Sequence, residues 1–97
     1  MTIDLALRVA LDGAWTVAPG VALRPEPFGA LAYHFGNRRL SFLRSPDIVA
    51  VVSAVGDHAT VADALGACGI APTRWPSFQK ALATLVASEV LVESHAH

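Results

Sequence analysis

Four histidines and one cysteine are the residues best suited to chemistry: His34, His58, His95, His97 and Cys68. Imidazole nitrogen and thiolate are the usual zinc ligands. Only His95-Ala96-His97 is closely spaced, and it falls in the polar tail 94–97, so the five residues do not make a ligand set. Cys68 falls on the inward stripe of a helix and reads as a small buried hydrophobe. A reactive thiol needs an electropositive, accessible setting, which the neighbouring sequence does not offer. Asp57-His58 is a loop pair with no nucleophile near it. There is no glycine-rich phosphate loop, and one cysteine cannot hold an iron–sulfur cluster. The expectation is a chain without catalytic activity, metal or cofactor of its own. The remaining chemical feature is the cation pair Arg38-Arg39. It reads either as a charged sheet edge that discourages aggregation or as a contact for an acidic peptide.

These side chains need elements to place them. A chain of 97 residues predicts one domain over 1–97, with 1–13 as an N-terminal extension of open conformation. The apolar fraction of 54% is ample for a modest core. No apolar run reaches the length of a membrane span. No secretory signal is visible, and a single cysteine suits a reducing, cytoplasmic setting. Net charge is −1, which draws the chain to neither nucleic acid nor anionic membrane.

The central stretch is Gly29 to Pro46. Leu31, Tyr33 and Phe35 share one face of a first alternating run, and Leu40 and Phe42 one face of a second. Gly36-Asn37 between them suits a two-residue type II′ turn. Before this hairpin, Trp15–Ala18 is a short extended piece. Val21–Arg24 is a strand, with Val21 and Leu23 inward, that Pro25-Glu26-Pro27 should stop. The prediction is a three-stranded antiparallel meander. Ser45-Pro46-Asp47 then opens a helix running to about Val55, with Ser45 as cap. A second helix starts at Thr60, with Asp63 placed for a capping box and Gly69 as its stop. A third runs from Trp75-Pro76 to about Ser88 with the apolar stripe Phe78, Leu82, Leu85 and Val86. Val90–Val92 is a last extended stretch packing back. Residues 2–12 fit a helix and a strand equally well.

The order βββααα is α+β and winged-helix-like. Val21–Glu26, Gly29–Leu43, Pro46–Val55 with Gly56-Asp57, and Thr60-Val61 resemble peptide chaperones of the pyrroloquinoline quinone type. These are recognition elements for ribosomally made, modified peptides. RPEPFGALAYHFGNRRLSFLRSPDIVAVV is closer still to the chaperone family of mycofactocin biosynthesis. Many members carry a Leu-Asn pair where the third strand meets the first helix; here the junction is Leu43-Arg44-Ser45. The resemblance implies a peptide chaperone that binds a precursor's leader as a strand beside the third strand. The last helix would form the far wall of the groove, and a radical S-adenosylmethionine maturase would take the presented peptide. The implied peptide-binding residues are Arg38, Arg39, Leu40, Ser41, Phe42 and Leu43 on the strand, with Phe78, Leu82 and Leu85 on the helix.

A two-residue turn would make Phe35–Arg38 the closing pair. Tyr33–Leu40 and Leu31–Phe42 would then be hydrogen-bonded, leaving Arg39, Ser41 and Leu43 to face the free edge, with Ser41 offering the central docking bond. The competing class, a winged-helix DNA-binding regulator, needs several basic residues on its recognition helix. The third helix supplies Arg74 at its start and Lys80.

Overall fold

The computed structural model describes residues 9–94. Among them the sheet has the order β2-β3-β4, from β2 (Val21–Glu26), β3 (Gly29–His34) and β4 (Leu40–Leu43), all antiparallel. Three helices follow: α1 (Pro46–Ala54), α2 (Val61–Ala67) and α3 (Trp75–Ala87). The expected α+β order is therefore observed, with a two-stranded addition. β1 (Trp15–Val17) pairs with β5 (Leu91–Glu93), so the last extended stretch closes on the first.

Short polar residues set the helix starts. Ser45 is extended, and its Oγ accepts from the Ile48 N–H at 3.2 Å, with Pro46 directly after it. Thr60 Oγ1 accepts from the Asp63 N–H at 3.1 Å. The other free N–H groups of α2 go to the N-terminal segment: Val61 donates to the Gly13 carbonyl and Ala62 to that of Leu11, both at 2.9 Å. Residues 9–12 are thus neither helix nor strand; residues 2–8 of that ambiguous stretch lie outside the described residues. Buried Gln79 holds the segment from α3, donating from Nε2 to the Val9 carbonyl at 2.8 Å.

Two helices end in the same way. Behind α2, Ile70 N–H donates to Leu65 O and Gly69 N–H to Gly66 O, with Gly69 at φ +75°. Behind α3, Val90 N–H donates to Leu85 O and Glu89 N–H to Val86 O, with Glu89 at φ +68°. This turn aims Val90 and Leu91 into the core, where both are buried.

The core lies between the helices and one face of the sheet. Val51, Val52, Val61, Leu65, Leu82 and Val90 are fully buried, each contributing about 1.5–3 kcal/mol by leaving water. Trp15 and Trp75 pack at its rim.

The sheet decides one point that the sequence left open and corrects two expectations. First, of the two faces that alternation defines, the one bearing the large apolar side chains of the hairpin is turned away from the core. The buried face is Ala30, Ala32 and Leu43, whereas Leu40 is 55% and Phe42 51% exposed. β3 packs against α1, and small side chains allow that approach. Gly29, at φ +147°, brings the chain so close that a Cβ there would collide with the Leu43 carbonyl oxygen.

Second, β2 runs through Pro25 to Glu26 rather than stopping before them. β2 is an edge strand, and the bond from Phe35 N–H to Gly20 O at 2.9 Å fixes its ladder. Counting from that bond, Pro25–Ala30 is a non-bonded pair, so the missing N–H would have pointed away from the sheet.

Third, the hairpin turn is longer than two residues. His34 N–H donates to Arg39 O at 3.0 Å, making His34–Arg39 the closing pair around Phe35–Arg38. His34 Nδ1 accepts from the N–H groups of Gly36 and Asn37, at 3.0 and 3.2 Å. Asn37 Oδ1 accepts from the Arg39 N–H at 2.9 Å, and Arg38, not Gly36, takes the left-handed conformation at φ +61°. The strand pairs are those expected: Tyr33 opposite Leu40, Ala32 opposite Ser41, Leu31 opposite Phe42.

Candidate peptide groove

Lengthening the loop from two residues to four keeps every strand pair and inverts its bonding. With His34–Arg39 bonded, Ala32–Ser41 and Ala30–Leu43 are bonded pairs, while Tyr33–Leu40 and Leu31–Phe42 are not. The outward N–H and C=O groups of β4 therefore belong to Leu40 and Phe42, two residues apart. Ser41 turns its backbone groups into the hairpin, contrary to the bonding pattern inferred from the sequence. Its hydroxyl lies 3.2 Å from Ser88 Oγ at the end of α3. Asn37 Nδ2 reaches the Ser88 carbonyl at 3.4 Å, so the hairpin tip is tied to the same helix end. Among the described residues no strand pairs with the free edge of β4.

Beside this edge runs a groove between the start of α1 and the exposed flank of α3. One cavity of about 350 Å³ is lined by residues that include Phe42, Leu43, Arg44, Ala81, Thr84 and Leu85. A second, of about 210 Å³, continues it to Arg74, Ser77 and Phe78, and both share Ser45, Ile48 and Ala81. The walls are mostly apolar and the ends are charged. Arg44 lies 5.1 Å from the centre of the Phe42 ring at one lip. At the far end Arg74 pairs with Asp47 at 3.0 Å and lies 5.2 Å from the Phe78 ring centre.

The sequence-predicted residues divide accordingly. Phe42, Leu43, Phe78 and Leu85 meet at the groove. Leu40 is at the edge, with its side chain on the outer sheet face. Arg38 and Arg39 are exposed at the hairpin tip. Leu82 is 0% exposed in the core and, although next to Ala81, lines neither cavity. Ala81 and Thr84 hold that flank instead, with Arg44, Ser45, Ile48 and Arg74 completing the lining. Of the apolar stripe of α3, Phe78 and Leu85 reach the groove and Leu82 does not; the small side chains Ala81 and Thr84 beside them complete that wall.

No group of metal-ligating side chains is found among the described residues, and no helix there is long and apolar enough to cross a membrane. His34 serves the hairpin turn; His95 and His97 lie outside the described residues. A free strand edge along an apolar groove is the geometry of strand addition: backbone groups give affinity and alternate side-chain pockets give selectivity.

Comparison with known proteins decides the family. Residues 14–92, from the strand before the sheet to the strand after the last helix, match the Peptide chaperone MftB family. The chain belongs to that family. Relatives named Peptide chaperone MftB include one from Mycolicibacterium smegmatis, 47% identical over 94 residues, covering 95% of this chain and 92% of the relative. One from Mycobacterium ulcerans is 45% identical, covering 88% of this chain and 78% of its own length. One from Mycobacterium tuberculosis is 43% identical, covering 84% and 74%. No solved structure matches. A non-catalytic role accords with these names. The DNA-reading alternative finds no support in the geometry: Arg74 at the start of α3 is paired with Asp47, leaving Lys80 as the free cation among the described residues of that helix.

Proposed function

We propose that this chain binds the leader of a precursor peptide as a strand added beside β4 and presents it to a radical S-adenosylmethionine maturase of mycofactocin biosynthesis. The observation that carries the reading is the free β4 edge, with Leu40 and Phe42 directed outward, running along an apolar groove walled by α3. Family membership supports the peptide; the resemblance to recognition elements supports the maturase. Arg44 at the groove lip, and Arg38 and Arg39 beyond the edge, suit a leader carrying carboxylates around apolar residues. Covalent chemistry stays with the partner.

Titration calorimetry against the precursor peptide encoded beside the gene tests this. One peptide per chain is expected, with affinity falling as salt is raised. Absence of binding, or binding unaltered by truncating the leader, overturns the reading.

A further inference from the structure

The groove occupies one side of β4. The opposite side is the outer face of the sheet, which no described element covers. Of the five large apolar residues most exposed on the described chain, four lie there: Phe28, Phe35, Leu40 and Phe42. Leu31 and Tyr33 stand between them, half buried, in register with Phe42 and Leu40. The aromatic rings are arranged in pairs. Phe28 packs on Phe42 with centres 5.8 Å apart, and Phe35 meets Tyr33 edge to face at 4.9 Å. An apolar face of this kind is uncommon on a monomer and marks an interaction surface.

Its charge narrows the occupant. The segment from Val21 to Arg44 carries four arginines, Arg24, Arg38, Arg39 and Arg44, against Glu26 alone, a net of +3 in a chain whose net charge is −1. Arg24 stands in the row of Leu31 and Phe42, Arg44 over the Phe42 ring, and Arg38 and Arg39 at the hairpin tip. A second copy would bring these cations against each other. A lipid surface calls for a protruding apolar element, whereas here the rings lie paired against the sheet face. Base stacking needs open ring faces, whereas the Phe42 ring already carries the Arg44 guanidinium and packs on Phe28, and Tyr33 and Phe35 meet edge to face.

We infer that the outer face of the sheet docks a folded protein partner through an apolar patch bordered by carboxylates. On the function proposed above, on which this inference rests, that partner is the maturase. The face is continuous with the peptide edge. Alternate side chains of a strand added beside β4 would stand next to Leu40 and Phe42 and extend the same surface. The enzyme would then read chaperone and peptide as one sheet, and the two ligands would use opposite sides of β4 without competing.

Two variants avoid the peptide edge: Tyr33→Ser with Phe35→Ser, and Arg24→Glu alone. Circular dichroism checks folding, calorimetry measures peptide affinity, and surface plasmon resonance measures binding of the purified maturase encoded beside the gene. Peptide affinity should stay within about twofold; maturase affinity should fall about tenfold or more in the double variant, as for a central contact, and about threefold or more in Arg24→Glu, a reversed charge at the border. Arg24→Glu keeps the test open if the double variant fails to fold, because Arg24 is on the surface. Maturase binding at wild-type strength in Arg24→Glu overturns the inference alone; no maturase binding to the wild-type chain overturns it together with the maturase part of the proposed function. So does wild-type binding to phosphatidylglycerol vesicles or oligothymidylate that both variants lose. Loss of peptide binding by the wild-type chain would instead strike the proposed function.

Discussion

His34 and Asn37 decide which backbone groups of β4 are free. The two side chains organise a four-residue loop through three bonds to backbone N–H groups, and the inverted ladder follows from its length. Phe42→Pro should remove only an outward N–H, so the protein is expected to stay folded while peptide affinity in calorimetry falls well below that of Phe42→Ala. Ser41→Pro should leave the Ala32 carbonyl unpaired, costing about 1–3 kcal/mol in urea unfolding. The reverse pattern would place Ser41 at the edge after all. Glu89 offers a second test. It takes a left-handed conformation that glycine adopts freely, so Glu89→Gly should gain about 1 kcal/mol in the same measurement. At this scale the sequence was legible where a residue acts on its immediate neighbours, as Ser45 and Thr60 do in capping. It was not legible at Arg38, whose positive φ belongs to a loop that the side chains of His34 and Asn37 organise.

Among the elements, α3 has two jobs on adjacent flanks. Phe78, Leu82 and Leu85 fill the core side, and Ala81 and Thr84 line the groove. Leu82→Ala should lower stability by about 2–5 kcal/mol, a core cavity, while the folded fraction keeps its peptide affinity. Ala81→Phe should do the opposite, filling the groove with little loss of stability; denaturation and calorimetry on the two variants separate the roles. Helical periodicity made the inward stripe readable, and the start and end of the helix were read within a residue or two. The sheet was harder. Strict alternation defines two faces without saying which is inward, and size misleads when a helix packs closely: Ala30 and Ala32 won the core because α1 leaves no room for Leu31 and Tyr33 there.

At the scale of the whole molecule, the order of strands and helices was legible because each start carries its own local signal. The pairing of β1 with β5 was not, since it joins residues more than 70 positions apart and nothing in either triplet specifies the partner. The free edge of β4 was legible from the meander order, in which β4 comes last, and among the described residues no other strand pairs with it. The other edge of the sheet has a consequence for stoichiometry. Pro25 sits on β2 where an outward N–H would stand, and Pro27 follows in the turn. A sheet with two open edges can grow from both, each added strand offering a new template, and that is the beginning of a fibre. Here Pro25 takes one outward donor from β2, so that edge is the poorer template. On the function proposed above, a strand is expected to add beside β4 rather than beside β2, and copies of the domain to concatenate poorly through their β2 edges.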